Sequence, residues 1–586
     1  MNKPQDHAFL GVSTSLTSRR WVGPSLQEDR AAEAMVQATN LPPALCRTLA
    51  RRGVQAQEAA LFLAPTLRDL LPDPRSLRDM QKAAARFLQA VVQKQRIAVF
   101  ADYDVDGGAS AALLIVWLRQ RGIGATLYIP DRIDEGYGPN DAAMMALAAA
   151  HDLIICVDCG TLSHGPIAAA RGADVIVLDH HLGGETLPAA HAIVNPNRQD
   201  ESGDLAHLCA AGVVFLMLVE ANRQLRETGI AGPDLMAMLD LVALATVADV
   251  APLVGVNRAF VRQGLAVMAR RQRVGLTALA DVAGLDAAPA AYHLGFLLGP
   301  RVNAGGRIGK ADLGARLLAT DDPAEARDLA DMLEQLNTDR RAVEQAVRDL
   351  ATAQALARGT DGPLVWAAGE GWHPGVVGIV AARLKEATNR PAIVIGFEDG
   401  IGKGSGRSVS GIDLGAAIQR LASEGLLLKG GGHKMAAGLS LTQDQLEPAM
   451  ARLAQLLDKQ GAGALGPADL RLDGILMPGA ATVDLVTLLD DAGPFGAGAP
   501  APRFAFPDSQ ILFAKQVGET HLKISFGDGL GARIDAICFG AMEGPLGPAL
   551  LHHNGSRFHL AGRIEVNVWQ GRQSVQLRLE DAAPAH

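Results

Sequence analysis

Four short apolar runs separated by helical patterns constrain this chain more than any other feature. They are RIAVFA (96–101), TLYIP (126–130), LIICV (153–157) and DVIVL (174–178), with helical stretches from about Ala109, over 140–150 and over 164–171. Continuous apolar strands alternating with helices predict an α/β fold built on a parallel sheet covered on both faces. Ligands of such sheets bind beyond the carboxyl ends of the strands, and here those ends carry chemistry. Asp102, Asp104 and Asp106 follow the first run in AVFADYDVDGGAS, Asp158 ends the third, and Asp179, His180 and His181 follow the fourth. A further carboxylate, Asp249, closes the apolar stretch 235–248.

Three aspartates at alternate positions of a tight loop repel one another unless a cation is bound. An exposed acidic turn is the alternative, and the recurrence of acids and histidines at one sheet end favours metal. Mixed carboxylate and imidazole donors suit Mn²⁺ or Mg²⁺ better than a thiolate metal. Two such ions about 3.5 to 4 Å apart are the usual device for phosphoester hydrolysis. Cys156-x-x-Cys159 has no second Cys-x-x-Cys to complete a zinc site and reads as ordinary strand-end cysteines.

Other segments offer cations and hydroxyls. Arg132 and Tyr137, in DRIDEGYG after the second strand, are placed to grip a phosphate and stack a base, or to form a plain surface turn. Arg301, Asn303 and Arg307 in GPRVNAGGR form either a phosphate clamp or a buried ion pair. GIGKGSGRS (400–408) lacks the Walker spacing, yet Ser405, Arg407 and Ser408 on flexible glycine-rich backbone suit a phosphate. GGGHK (430–434) adds the imidazole of His433 on a second predicted glycine-rich loop.

The 586 residues predict three or more units at roughly 100 to 200 residues each. The charged, Gly-free stretch 322–357 after Asp322-Pro323 reads as one long helix. A second α/β unit follows, with PLVWAA (363–368), a helix over 375–387 and PAIVIG (391–396). From Arg503 the pattern turns β-like, with a hairpin turn at Gln570-Gly571, and predicts a small oligonucleotide-binding-type barrel. A net charge of -9 means that any nucleic-acid contact rests on local basic patches or bound cations. Five scattered cysteines and a polar Met1–Arg20 predict a reduced, cytoplasmic protein. The longest apolar runs fall far short of the ~20 residues of a membrane span, so no membrane partner is expected.

Together these motifs resemble the DHH phosphoesterase superfamily, and more closely its bacterial RecJ branch of single-strand-specific exonucleases. The resemblance runs through FLAPTLRDLLPDPRSLRDM (62–80), DYDVDG at 102, VDCG at 157, LDHH at 178, ATVADVAPL at 245, LGPRVNAGGR at 298, WHPGVVGIVAARLKE at 372, GSGRS at 404, GGHKMAAG at 431 and HLKISF at 521. It implies a helical lead-in (1–80), a DHH catalytic domain (81–320), a connecting helix (321–358), a DHHA1 domain (359–460) and an OB-like domain (461–586). It implies two divalent ions, Mn²⁺ or Mg²⁺, on Asp102, Asp104, Asp158, His180, His181 and Asp249, with Asp158 and His181 also acting in catalysis. Asp106 is placed as support for the loop. The chain departs from the family pattern at Phe100, Ala101, Ala109 and Thr161-Leu162, which implies a more loosely held first metal.

The activity implied is 5′-to-3′ degradation of single-stranded DNA to 5′-mononucleotides in repair and recombination. The strand is expected to enter between the DHH and DHHA1 domains, with its 5′ end near Ser405, Arg407 and Arg301 and the barrel arginines Arg557, Arg563 and Arg572 tracking it. A monomer served by a single-strand-binding protein and a helicase is the implied assembly. Superfamily members that cleave short oligoribonucleotides, cyclic dinucleotides or pyrophosphate are usually shorter. A non-catalytic scaffold at replication forks is a rival that the full set of acids and histidines disfavours.

Overall fold

A computed structural model describes residues 8–131 and 135–585, which divide into two units. The first comprises the described residues of Met1–Val302, Asp312–Ala330 and Ala468–His586; the second comprises Asn303–Ala311 and Asp331–Pro467.

The first unit opens with a short strand, β1 (Arg19–Val22), whose partner lies near the other end of the chain. Its parallel sheet consists of β2 (Ile97–Ala101), β3 (Ala125–Tyr128), β4 (Leu153–Val157), β5 (Asp174–Leu178) and β6 (Ala192–Val194) in the spatial order β3-β2-β4-β5-β6. All residues of β2 and β4 are buried, which is why these strands read as unbroken apolar runs instead of alternating. β3 and β4 lie on opposite sides of β2, so the topological switch point falls between β2 and β4. Asp102 and Asp158 emerge at that point. β6 has no counterpart among the predicted strands, because three apolar residues are too few to show a period.

The helix Val105–Gln120 starts four residues before the predicted Ala109. The Asp104 carboxylate accepts from the backbone N–H groups of Asp106 (2.9 Å) and Gly107 (3.1 Å) and so caps it. A Cβ at Gly107 would lie 2.3 Å from the Asp102 carbonyl oxygen, so only glycine allows this loop to close on itself.

In the second unit, β7 (Val365–Glu370), β8 (Ala392–Glu398), β9 (Ile401–Arg407), β10 (Lys429–His433) and β11 (Ala436–Thr442) form a sheet in the order β10-β11-β9-β8-β7. The two predicted glycine-rich loops are therefore strands. Gly402, Gly404 and Gly406 face a core containing Ile393, Ile395, Leu414 and Leu439, where an added Cβ would meet side-chain atoms at 2.4 to 3.1 Å. Flush packing, and not flexibility, accounts for the glycines. The predicted long helix spans Pro323–Arg358, and its last turns bury Val347, Ala351 and Ala355 against Val365, Val376 and Val380.

The carboxyl-terminal part of the first unit contributes β12 (Ala468–Arg471), β13 (Gly474–Ile475), β14 (Phe504–Val517), β15 (His521–Gly527), β16 (Arg533–Cys538), β17 (Arg557–Trp569) and β18 (Arg572–Pro584). Pairing runs β14-β15-β16-β18-β17 and returns from β17 to β14, closing a five-stranded OB-like barrel. The β17–β18 hairpin turns at Gln570 and Gly571, with φ of 48° and 78°, the left-handed pair that matches strand twist.

The lead-in is more than a helical prelude. β1 pairs in parallel with β12. The Trp21 ring is fully buried, and its indole N–H donates to Asp581 on β18 at 2.8 Å. Met35, Leu45 and Leu49 share one core with Phe504, Phe506, Phe526 and Leu560 of the barrel. Trp21→Ala is expected to destabilise the barrel by about 3 to 5 kcal/mol, since it leaves a cavity and takes the indole donor from one oxygen of the buried Asp581 carboxylate. Urea unfolding followed by barrel-localised hydrogen exchange measures this, and unaltered barrel protection would refute it. Among the described residues no helix is long and apolar enough to cross a membrane.

Candidate active site

The strand ends of the first sheet bring carboxylates and imidazoles into one cluster. Three groups of donor atoms lie each within 4.8 Å of one another: Asp102, Asp104 and Asp158; Asp158, His180 and His181; and Asp106, His180 and Asp249. Asp158 and His180 each belong to two groups, so the three merge. His180 Nε2 sits 3.2 Å from Asp158, 3.7 Å from Asp106 and 3.8 Å from Asp249. All six predicted ligands are thus gathered, together with Asp106.

Asp106 does more than support the loop. Its buried carboxylate accepts from the N–H groups of Ala210 (2.6 Å) and Ala211 (2.8 Å), capping the helix Ala210–Glu227, while one oxygen still faces His180. The alternation Asp-x-Asp-x-Asp is the sequence signal that includes it. Asp179 is not in the donor groups. It takes hydrogen bonds from Thr161 N–H and O–H (3.0 and 2.6 Å), from the N–H groups of His180 and His181, and pairs with His181 Nδ1 at 2.8 Å. Burial would raise its pKa, but the bonds from His181 and Thr161 outweigh burial and hold it below the usual carboxylate range. Asn195 donates to Thr161 Oγ1 and the His181 carbonyl, both at 2.8 Å, and Asn197 donates to the His180 carbonyl at 2.5 Å. These three polar residues orient the histidines; Thr161 is noted in the sequence only as a departure from the family pattern, and nothing local marks Asn195 or Asn197.

The electrostatics are those of a site short of positive charge. Burial first, and then neighbouring carboxylates, push Asp158 far above the normal range and Asp249 up to about 8. Burial also raises Asp106. Asp158 Oδ1 is buried without a hydrogen bond, and its residue has a left-handed φ of 60°. Hard oxygen donors crowded together, with imidazoles at the edge, fit divalent Mn²⁺ or Mg²⁺, whose charge removes the repulsion. Cys156 and Cys159 are buried and join no such group among the described residues; burial pushes the Cys156 thiol up to about 12. Phe100 stacks on Tyr128 inside the core, and Ala101 and Ala109 are fully buried.

The substrate candidates divide. The Tyr137 hydroxyl donates to the Asp158 carbonyl at 3.2 Å and meets His181 Nε2 at 3.2 Å, so this residue is at the centre. Arg132 lies outside the described residues. Arg301 is nearly buried in the first unit and donates to the Leu297 carbonyl at 2.7 Å. Asn303 and Arg307 belong to the second unit, where Arg307 donates to the Gly375 carbonyl at 3.2 Å, at the start of the helix Pro374–Thr388. Ser405 and Arg407 share the face of β9 that meets this helix; a Cβ at Gly378 would lie 3.0 Å from Ser405 Oγ and 3.1 Å from Arg407 Nη2. Strand register sets His433 opposite Ala436, and Ala436 opposite Arg407, on that same face. Ser408 is buried and donates to the Ile412 carbonyl, so it shapes a turn instead of facing a ligand. On the barrel, Arg557 pairs with Asp508 and Arg563 with Glu580.

Family models match three parts of the chain: the DHH family N-terminal domain at 96–246, the DHHA1 domain at 361–459 and the RecJ OB domain at 472–581. The single-stranded-DNA-specific exonuclease RecJ of Dickeya dadantii is 39% identical over 569 residues, which cover 93% of this chain and 96% of the relative. The chain belongs to the RecJ family. Two solved RecJ structures from Thermus thermophilus extend the likeness to the fold. The one in complex with Mn²⁺ has a TM-score of 0.78 at 30% identity, covering 96% of this chain and 79% of that one. The one in complex with Mg²⁺ has a TM-score of 0.72 at 29% identity, covering 97% and 78%. The RecJ architecture of DHH domain, DHHA1 domain and OB-like barrel is the architecture found here.

Proposed function

We propose that this protein is a metal-dependent exonuclease that degrades single-stranded DNA from the 5′ end to 5′-mononucleotides, in DNA repair and recombination. The observation that carries the reading is the merging of three donor groups through Asp158 and His180 at the switch point of the sheet. Membership of the RecJ family supports the substrate, and the relatives solved with Mn²⁺ and Mg²⁺ support the metals. Two divalent ions held there would activate a water and stabilise the departing 3′ oxygen.

The chain's own residues do the rest. Asp102, Asp104, Asp158, His180, His181 and Asp249 serve as ligands, with Asp106 joining His180 and Asp249. Asp179 fixes the His181 ring, so that His181 and the Tyr137 hydroxyl beside it position the scissile phosphate. Ser405 and Arg407, with His433 in register and Arg307 at the head of the adjoining helix, hold the 5′-terminal phosphate. Arg301 and Asn303 are assigned to the strand, and Arg572 to its track along the barrel. A single-strand-binding protein and a helicase deliver the strand to a monomer.

The test is a Mn²⁺ titration of wild type and Asp104→Ala on single strands labelled at either end. Wild type is expected to release the 5′ label first, as a mononucleotide. Asp104→Ala should be slower by about 10² to 10³-fold at every Mn²⁺ concentration, the scale of losing one principal electrostatic group. Undiminished cleavage by Asp104→Ala sinks the metal assignment, and earlier release of the 3′ label sinks the polarity.

A further inference from the structure

Tyr137 reaches the donor cluster from a segment with little of its own to hold it. The residue is 56% exposed, and its ring stands edge-on to His181 with centroids 5.8 Å apart. Gly136 and Gly138 flank it at left-handed φ of 88° and 72°, so neither neighbour has a side chain to anchor the backbone. A hydroxyl that meets the Asp158 carbonyl and His181 Nε2, each at 3.2 Å, needs its direction set from elsewhere.

Glu135, two residues earlier, is fastened on three sides. Its Oε2 accepts from the Tyr128 hydroxyl at 2.6 Å and from Asn140 Nδ2 at 3.1 Å, and its Oε1 accepts from the Asp131 N–H at 3.0 Å. The N–H groups of Glu135 and Gly136 in turn donate to the Asp131 carbonyl at 2.8 and 3.1 Å. One carboxylate thus joins the last residue of β3, the backbone before Tyr137 and the N-cap of the helix Asp141–Ala150, where Asn140 Oδ1 accepts from the Ala143 N–H at 2.9 Å. The strand end is a firm anchor, because the Tyr128 ring stacks on the fully buried Phe100 of β2 with centroids 5.3 Å apart. Only an ionised carboxylate among side chains of this length offers acceptors at both tips. Burial would raise the pKa of Glu135, but the bonds from Tyr128, Asp131 and Asn140 outweigh it and hold the group below its usual range.

We propose that Glu135 is a positioning residue: its three bonds fix the segment from which the Tyr137 hydroxyl meets His181, and so fix where the scissile phosphate is held. This rests on the exonuclease reading and adds to it the group that aims Tyr137. Glu135 acts through that hydroxyl and not on the phosphate itself. A misaimed hydroxyl slows the chemical step while the rest of the strand is still bound, so the loss falls on kcat and not on KM.

The experiment compares full-length wild type, Glu135→Ala, Glu135→Gln, Tyr137→Phe and Glu135→Ala/Tyr137→Phe on single-stranded DNA, with hydrogen exchange read at the Glu135 and Gly136 amides. Glu135→Ala should lower kcat by about 10 to 10²-fold at an unchanged KM. It should also speed exchange at both amides and leave the rise in melting temperature on adding Mn²⁺ unchanged. Glu135→Gln keeps an acceptor for the Asp131 N–H and offers its amide to the Tyr128 oxygen, so it should recover most of kcat. In the Tyr137→Phe background the loss of Glu135 should cost nothing further, since both changes remove one effect. Additive losses in the double variant, or a wild-type kcat in Glu135→Ala, overturn the proposal. A lost Mn²⁺ response in Glu135→Ala also overturns it, by assigning the residue to the metal. If wild type itself releases no nucleotide, the exonuclease reading fails. The aim of Tyr137 is then decided by histidine-ring NMR, where Glu135→Ala and Tyr137→Phe should shift the His181 signal alike and an unmoved signal in Glu135→Ala overturns it.

Discussion

Asp158→Asn is expected to lower metal-dependent cleavage by about 10³-fold while leaving the metal-free protein as stable as wild type or more stable. Both halves follow from one environment. The carboxylate is buried, lacks a hydrogen bond at Oδ1, and sits among Asp102, Asp104, Asp106 and Asp249. An ionised group placed there is unfavourable unless a cation is bound, so replacing it with an isosteric amide relieves repulsion in the apo state. The same replacement removes the donor that joins two of the three groups, and a loss of that size is expected for a principal electrostatic element of a hydrolytic site. Thermal unfolding with and without Mn²⁺, run beside the cleavage assay, reads both effects. Wild type should melt higher with Mn²⁺ and Asp158→Asn should barely respond. A marked fall in its apo melting temperature would contradict the account.

Asp106→Ala should behave in the opposite way. Its two oxygens hold the first N–H groups of the helix Ala210–Glu227, which is buried at that end. Losing two charge-assisted bonds is expected to cost about 3 kcal/mol or more, because both donors stay buried without an acceptor. Denaturant unfolding in the absence of metal measures this. If Asp106→Ala matches wild type there, the capping role is wrong and Asp106 acts only through the metal group. The two aspartates are 52 residues apart and almost touch the same imidazole, yet one is expected to trade stability for chemistry and the other to supply both.

Legibility in the sequence follows burial. β2, β4 and β5 are readable as strands because a parallel sheet covered on both faces requires unbroken apolar runs. Five of the six predicted ligands are readable because they sit directly after those strands, whereas Asp249 closes an apolar helix. β9 is not readable, since Gly402, Gly404 and Gly406 carry no strand signal. Their reason is the closeness of Ile393, Ile395 and Leu439, which are remote in sequence or on neighbouring strands. β1 is hidden for a similar reason: Arg-Arg-Trp-Val shows no pattern until Ala468–Arg471 arrives beside it. Thr161, Asn195 and Asn197 look like ordinary loop residues, and only the fold shows that they hold the two histidines.

The pairing of Trp21 with Asp581 has a consequence for how the protein is made. The two residues are 560 positions apart. At about 5 to 20 residues per second, roughly half a minute to two minutes of synthesis separates them on the ribosome. Throughout that interval β1 and the apolar faces of the first helices have no barrel to pack against. A chain cut short before β18 therefore leaves the amino-terminal segment without the carboxylate that its buried indole requires.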